Sequence, residues 1–302
     1  MAYRIVIQAP AKLNLFFEVL ARRDDGYHEI ETLMCPIDLY DTLYFEEDKS
    51  GQLELECQRA SGPGEPSDSG QDRGEIDQLP PWRDNLVVKA LELLRRRAGV
   101  EFGARLRLVK RIPIAAGLGG GSSDAAAALV AANRGWDLGF SSSQLAGISA
   151  ELGSDVPFFL ADGPAVCRGR GELVEPIADT WALHFVLVRP PAGLSTAAVY
   201  EACRPAEVPH SLAPLLDALK SGNLIAAGRL LFNRLEPAAR ELSPWIERSR
   251  QAFAREDVLG HAMSGSGTAY FGLCRHANHA RRVARRLQAN GVGSVFAVRS
   301  CR

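Results

Sequence analysis

The chain has 302 residues, 46% of them hydrophobic, and sets 35 basic side chains against 36 acidic ones. That length and apolar content support one large or two moderate cores and exclude disorder throughout, while a formal charge of -1 leaves no global field to draw the chain to nucleic acid or an anionic membrane. No apolar run approaches the ~20 residues that span a bilayer, the first residues lack a leader pattern, and six cysteines without a Cys-x-x-Cys pair speak against a disulfide framework or zinc site and for a reducing, cytoplasmic setting.

In chain order, residues 3–20 read as strand on both sides of an interruption at Pro10, and Asp24-Asp25-Gly26 supplies turn chemistry. Alternation at 42–45 and 53–56 predicts further strands, and 61–83, rich in Gly, Pro, Ser and acidic residues, reads as a mobile surface insertion. Helical spacing follows over 85–97 through Leu86, Ala90, Leu93 and Leu94, then a strand at 105–112, a glycine-rich stretch at 113–123 and an alanine-rich helix at 124–133. Residues 141–152 start with cap-forming serines, place Leu145, Ile148 and Leu152 on one face and stop at Gly153, after which a tight connection presents Asp155.

A strand at 185–188 ends at Pro190-Pro191, and helical patterns at 213–220 and 223–231 open a second region. The last hundred residues hold the glycine and serine run 263–268, a short apolar strand, an arginine-studded helix over 278–290 and a final strand at 294–298. The pattern predicts an α+β protein with domains 1–190 and 191–302, and no solenoid repeat is present.

Gly117-Leu118-Gly119-Gly120-Gly121-Ser122-Ser123 concentrates residues that reach positive φ and carry no Cβ to hold a ligand off the backbone amides. The helix predicted after it adds its partial positive end, so strand, glycine loop and helix make a phosphate cradle; the other reading is a flexible turn before a helix. The register fits neither G-x-x-x-x-G-K-[ST] nor G-x-G-x-x-G.

Residues 112–126, from Ile112-Pro113-Ile114-Ala115-Ala116 through the loop, resemble the second motif of the GHMP kinases. Pro10-Ala11-Lys12-Leu13-Asn14-Leu15 resembles the first motif and Met263-Ser264-Gly265-Ser266-Gly267 the third, in the expected order. The extension Arg23-Asp24-Asp25-Gly26-Tyr27-His28-Glu29-Ile30, with Gly153-Ser154-Asp155-Val156-Pro157-Phe158-Phe159, is similar to the branch that phosphorylates a small-molecule cytidine-diphosphate substrate for isoprenoid synthesis. The resemblance implies a two-domain kinase with its active site in the cleft between the domains. One departure is Asn233-Arg234-Leu235-Glu236, where arginine stands in place of an aspartate.

What the resemblance implies can be set residue by residue. Pro113, Ile114, Ala115, Ala116, Gly117, Leu118, Gly119, Gly120, Gly121, Ser122 and Ser123 wrap the ATP phosphates, with Mg²⁺ bridging them and Ser123 as a candidate ligand. Asp155 accepts the proton of the attacking hydroxyl, its alternative being a helix cap. Lys12 holds Asp155 ionised and stabilises transition-state charge, against the alternative of a snorkelling surface lysine. Asn14, Tyr27 and His28 read the cytosine, Tyr200 offers a second ring, and Gly265 borders the site; unaided, both tyrosines read as core or interface rings. His276 and His279 read as a solvated helix start, and Arg281, Arg282, Arg285 and Arg286 as a solvated helix face. The competing functions are another GHMP kinase, of the mevalonate, homoserine or sugar type, and a non-catalytic binding module on the same fold.

Overall fold

The computed structural model describes residues 4–60, 81–178 and 182–301. Most of the predicted insertion, 61–80, lies outside the described residues. The chain divides into two compact units, one of Met1–Ala11, Leu39–Ile114 and Gly119–Asp162, the other of Lys12–Asp38, Ala115–Leu118 and Gly163–Arg302. Two long strands, β1 (Arg4–Arg22) and β2 (His28–Asp48), contribute to both.

β1 runs through Pro10 without the predicted interruption. Proline's fixed φ suits an extended strand and forfeits only one ladder donor, while Ala9, Ala11, Leu13 and Leu15 alternate into the interior around it.

The first unit adds β3 (Leu53–Arg59), α1 (Leu86–Ala98), β4 (Gly103–Lys110), α2 (Gly120–Gly135) and α3 (Ser142–Ser149). β4 pairs antiparallel with β2 over Thr42–Asp48 and parallel with β3 from Leu53 beside Ala104 to Arg59 beside Lys110. Asn85 caps α1 by accepting from Val87 N at 3.0 Å. Behind the strands, Leu91, Leu94, Leu106, Leu108, Leu129 and Trp136 form the core. The buried run Ala125–Ala128 gives α2 a thin face that packs on α1. At Gly135 a Cβ would stand 2.3 Å from the Phe45 ring, so close packing requires glycine there.

The second unit adds β5 (Ala165–Gly169), β6 (Leu173–Pro176), β7 (His184–Arg189), α4 (Thr196–Ala202), α5 (Ala213–Lys220), α6 (Leu224–Arg229), β8 (Phe232–Asn233), α7 (Glu236–Leu242), α8 (Pro244–Ala254), β9 (Gly260–Met263), β10 (Tyr270–Cys274), α9 (Ala277–Ala289) and β11 (Ser294–Arg299). β11, β7, β10 and β9 form an antiparallel sheet in that order, and α9 packs on it through Val283 and Leu287. β5 pairs with β2 at Ile30–Met34, and β8 lies parallel to β1 at Phe16 and Phe17. Helices and largely antiparallel strands thus make an α+β fold.

His279 departs from the expected solvated helix start. It is buried, its Nε2 lies 2.9 Å from Asp257 Oδ1, and its Nδ1 faces Arg275 N, while His276 caps α9. The arginine stripe is an exposed face with local partners: Arg282 pairs with Asp257 and Arg286 with Glu256. None of the described helices is long and apolar enough to cross a membrane.

Candidate active site

Lys12 is only 3% exposed, which removes the snorkelling alternative. Its Nζ donates to Asn14 Oδ1, two residues along β1 and therefore on the same face of the strand. Asn14 is fully buried; its Nδ2 donates to Thr32 Oγ1 at 2.8 Å, and that hydroxyl donates to Phe16 O at 2.6 Å. Asn14 N in turn donates to Ser264 Oγ at 3.3 Å. Asn14 Oδ1 gives the buried ammonium an acceptor, and the bonds to Thr32 and Ser264 fix Asn14 in turn.

Gly265 completes this cluster. At φ 56° it occupies the left-handed region, and a Cβ built on it would stand 3.1 Å from Lys12 Nζ and 3.3 Å from Asn14 Oδ1. Ser264 Oγ donates to Gly117 O at 3.0 Å, Ala269 N to Ala116 O at 2.9 Å and Lys12 N to Leu118 O at 3.0 Å. Lys12–Leu15 of the first motif, the third motif and the 115–118 segment of the second are therefore joined within one unit.

The remaining loop residues, Pro113, Ile114 and Gly119–Ser123, pack with the other unit. α2 starts at Gly120, inside the loop, four residues before the predicted start at Asp124. Gly119, at φ 71°, is its cap, no side chain caps the turn, and no acidic residue sits in it. The N–H groups of a first helical turn have no intrahelical acceptor, so this end suits a phosphate. Ser123 is buried, and its Oγ, like Asp124 Oδ1, has no hydrogen-bond partner among the described residues. Oxygens of this kind suit a hard cation. Among the described residues no group of three or more His, Cys, Asp or Glu forms a metal cage.

Below the loop, Lys110 Nζ bonds both Asp41 and Asp124, all three being buried. Asp41 Oδ1 also accepts from the amides of Arg111 and Ile112, the latter at 2.8 Å. Burial opposes the charge on Lys110, but Asp124 and Asp41 outweigh it and raise the pKa.

The aromatic candidates lie in the second unit. His28 and Tyr200 face each other with ring centroids 5.1 Å apart and planes at 33°. Burial, with Arg22 nearby, lowers the His28 pKa, so the imidazole is neutral at pH 7 and offers one donor and one acceptor. Tyr27 is 53% exposed with the Arg170 guanidinium 4.8 Å from its ring centroid, so it is not a core ring. Its loop is pinned by Asp25, which accepts from Tyr27 N at 3.1 Å and pairs with Arg23.

Asp155 is half-buried in the turn before the 3₁₀ segment Pro157–Leu160. The cap position of that segment belongs to Val156. Ser264, Thr32, Asn233 and Glu236 were not among the candidates. Ser264 stands in a quoted motif, but Thr32, eighteen positions from Asn14, leaves no pattern a sequence reader can see.

The GHMP kinases N terminal domain model matches residues 85–163, and the GHMP kinases C terminal model matches 215–293. A relative from Pelotomaculum thermopropionicum, named 4-diphosphocytidyl-2-C-methyl-D-erythritol kinase, is 42% identical over 284 residues, covering 93% of each chain. A relative of the same name from Shouchella clausii is 36% identical over 297 residues, covering 98% of this chain and 94% of its own. Among solved structures, that of 4-(cytidine 5'-diphospho)-2C-methyl-D-erythritol kinase matches with a TM-score of 0.79 and 35% identity, covering 99% of this chain and 100% of that one. With the three motifs embedded in a matching fold, the chain belongs to the GHMP kinases, in the group of 4-diphosphocytidyl-2-C-methyl-D-erythritol kinases that these relatives represent.

Proposed function

We propose that the chain transfers the γ-phosphoryl group of ATP to the 2-hydroxyl of 4-diphosphocytidyl-2-C-methyl-D-erythritol, an isoprenoid precursor. The observation that carries this reading is near-full-length identity to kinases of that name. Residues 1–190 act as the N-terminal kinase domain and 191–302 as the C-terminal one, a division supported by family matches that fall on either side of residue 190. The cytoplasm is its place of action, in keeping with the thiols Cys35, Cys57, Cys203 and Cys274.

Phosphoryl transfer asks for positioning and charge stabilisation more than for covalent chemistry. The amides at the start of α2 and residues 113–123 bind the phosphates of ATP. Ser123 Oγ would hold Mg²⁺, which would supply positive charge to neutralise the phosphates. Lys12, already desolvated, stabilises charge on the moving phosphoryl group, and Asp155 takes the proton of the attacking hydroxyl. His28, Tyr27 and Tyr200 recognise the cytosine, whereas Asn14, expected to read it too, is fully buried with its carboxamide bonded to Lys12 and Thr32 and, with Gly265, holds Lys12 in place.

The test is ATP consumption with 4-diphosphocytidyl-2-C-methyl-D-erythritol beside mevalonate and homoserine. Turnover with the first alone is expected. Equal turnover with either of the others, or none with any, overturns the assignment.

A further inference from the structure

Residues 232–236 lie between the strand that carries Lys12 and the loop that packs on it, all within the second unit. On one side they bind β1: Phe232 pairs with Phe16 and Asn233 with Phe17, and Arg234 N donates to Phe17 O at 2.8 Å. Arg234 then grips the next residue, Glu18, from Nε and Nη2. On the other side they bind the third motif. Asn233 Nδ2 donates to Met263 O and to Gly265 O, both at 2.8 Å, while its Oδ1 accepts from Leu235 N at 2.9 Å. Glu236 Oε2 accepts from Met263 N at 3.1 Å, and its Oε1 accepts from the Tyr270 hydroxyl at 3.0 Å.

Two side chains thus hold the three residues Met263–Gly265 by two of their carbonyls and an amide. Asn233 is 4% exposed, and both hydrogens of its amide are used, so its orientation is fixed. The loop so held is the one whose Ser264 bonds Asn14 N and Gly117 O and whose Gly265 packs on Lys12 Nζ. The spacing between β1 and this loop sets where the Asn14 carboxamide and the Lys12 ammonium stand, and a displacement of ~1 Å at a reacting group costs on the order of 100-fold in rate.

We infer that Asn233 and Glu236 are positioning residues for the phosphoryl transfer, acting by clamping Met263–Gly265 to the strand that carries Lys12. The inference rests on the role proposed for Lys12. It also accounts for the asparagine and glutamate of Asn233-Arg234-Leu235-Glu236, which have no part in ligand binding in the reading above.

The test compares Asn233→Ala, Glu236→Ala and Glu236→Gln with the wild type by two readouts. The first is the rate of Lys12 acetylation by acetic anhydride, mapped by mass spectrometry with Lys49 and Lys89 as internal references; it requires no turnover. The second is kcat and KM per folded molecule. In the two alanine variants Lys12 is expected to label at least ~5-fold faster and kcat to fall by ~10- to 100-fold, with KM for ATP within ~2-fold. Glu236→Gln keeps an oxygen for Met263 N, so its labelling and kcat should stay within ~3-fold of wild type. Unchanged Lys12 labelling in folded alanine variants overturns the clamp. Faster labelling with undiminished kcat confirms the clamp and overturns the role assigned to Lys12. If Asn233→Ala does not fold, Glu236→Ala against Glu236→Gln decides the matter alone.

Discussion

Arg234 and Glu18 form a two-pronged pair, Nε to Oε1 at 2.7 Å and Nη2 to Oε2 at 2.9 Å, in which the carboxylate is fully buried. The amides of His210 and Val19 also donate to it, at 2.8 and 3.0 Å. An arginine at a position where the family pattern carries aspartate is therefore matched here by a buried acid on the neighbouring strand. Burial by itself pushes the Glu18 pKa up, but Arg234 and the two amides outweigh it and leave it below the ordinary 4.5.

Arg234→Met strands that carboxylate. Removing one partner of a buried pair costs about 3–5 kcal/mol, so a large loss of stability is expected at pH 7. The sign of the pH dependence also changes. In the wild type the folded pKa is depressed, so Glu18's contribution is present above 4.5 and lost as pH falls through the lower folded value. In the variant burial dominates, the folded pKa rises, and the variant gains on the wild type as pH drops from about 7 to about 5. Urea unfolding at both pH values checks this; a deficit that does not shrink refutes it.

Gly117→Ala attacks the junction of the second and third motifs. Gly117 sits at φ 74°, and a Cβ would fall 2.2 Å from Ser264 O. The left-handed backbone alone costs an L-residue about 1–2 kcal/mol, and the overlap forces Ser264 away from Gly117 and Asn14. Loss of at least ~1 kcal/mol of stability is expected, together with a fall in kcat; a variant with wild-type melting and turnover contradicts the described packing.

Some of this architecture was legible in the sequence, and the reasons differ by residue. The glycine loop and Lys12 sit in contiguous motifs, and the amphipathic spacing of α1 is carried by Ala90, Leu93 and Leu94 themselves. The start of α2 is hidden because glycine's poor helix propensity masks a turn that its surroundings impose, and Pro10 reads as a break because proline is a local breaker, although its fixed φ suits the extended strand that runs through it. The buried state of Lys12 depends on Thr32, Ser264 and Gly265, which are distant in sequence and become neighbours only in the fold. His279 likewise is buried and finds its partner in Asp257, twenty-two positions away.

Tyr200 and His28 present adjacent rings, and Tyr200 also meets Phe17 edge-on at 6.5 Å. Stacking of a base on an aromatic ring is worth about 1–3 kcal/mol, so Tyr200→Leu should raise KM for the cytidylated substrate by roughly 5- to 150-fold. Tyr200→Phe should stay close to wild type, and KM for ATP should not change in either. Steady-state kinetics with each substrate varied in turn decides; an unchanged KM for the cytidylated substrate in Tyr200→Leu removes the ring from base recognition.

Lys110 ties both ends of the glycine loop, through Asp41, which holds the amides of Arg111 and Ile112, and through Asp124, just past the first turn of α2. Burial raises the Asp124 pKa above 3.8, the like charge of Asp41 adding to the effect and Lys110 opposing it. A carboxyl with a raised folded pKa keeps its proton in the folded state when the unfolded chain has released it, so stability falls as pH climbs above 3.8. Asp124→Asn removes that slope: whatever its deficit at about pH 4, the variant should gain on the wild type as pH rises to about 7. Lys110→Met leaves the buried Asp41 carboxylate without its cation and should lose about 3–5 kcal/mol at pH 7; because both loop ends are freed, its KM for ATP should rise. Urea midpoints across the pH range and ATP kinetics test the two halves separately, and a parallel pH profile for Asp124→Asn and wild type shows that Asp124 does not carry the proton.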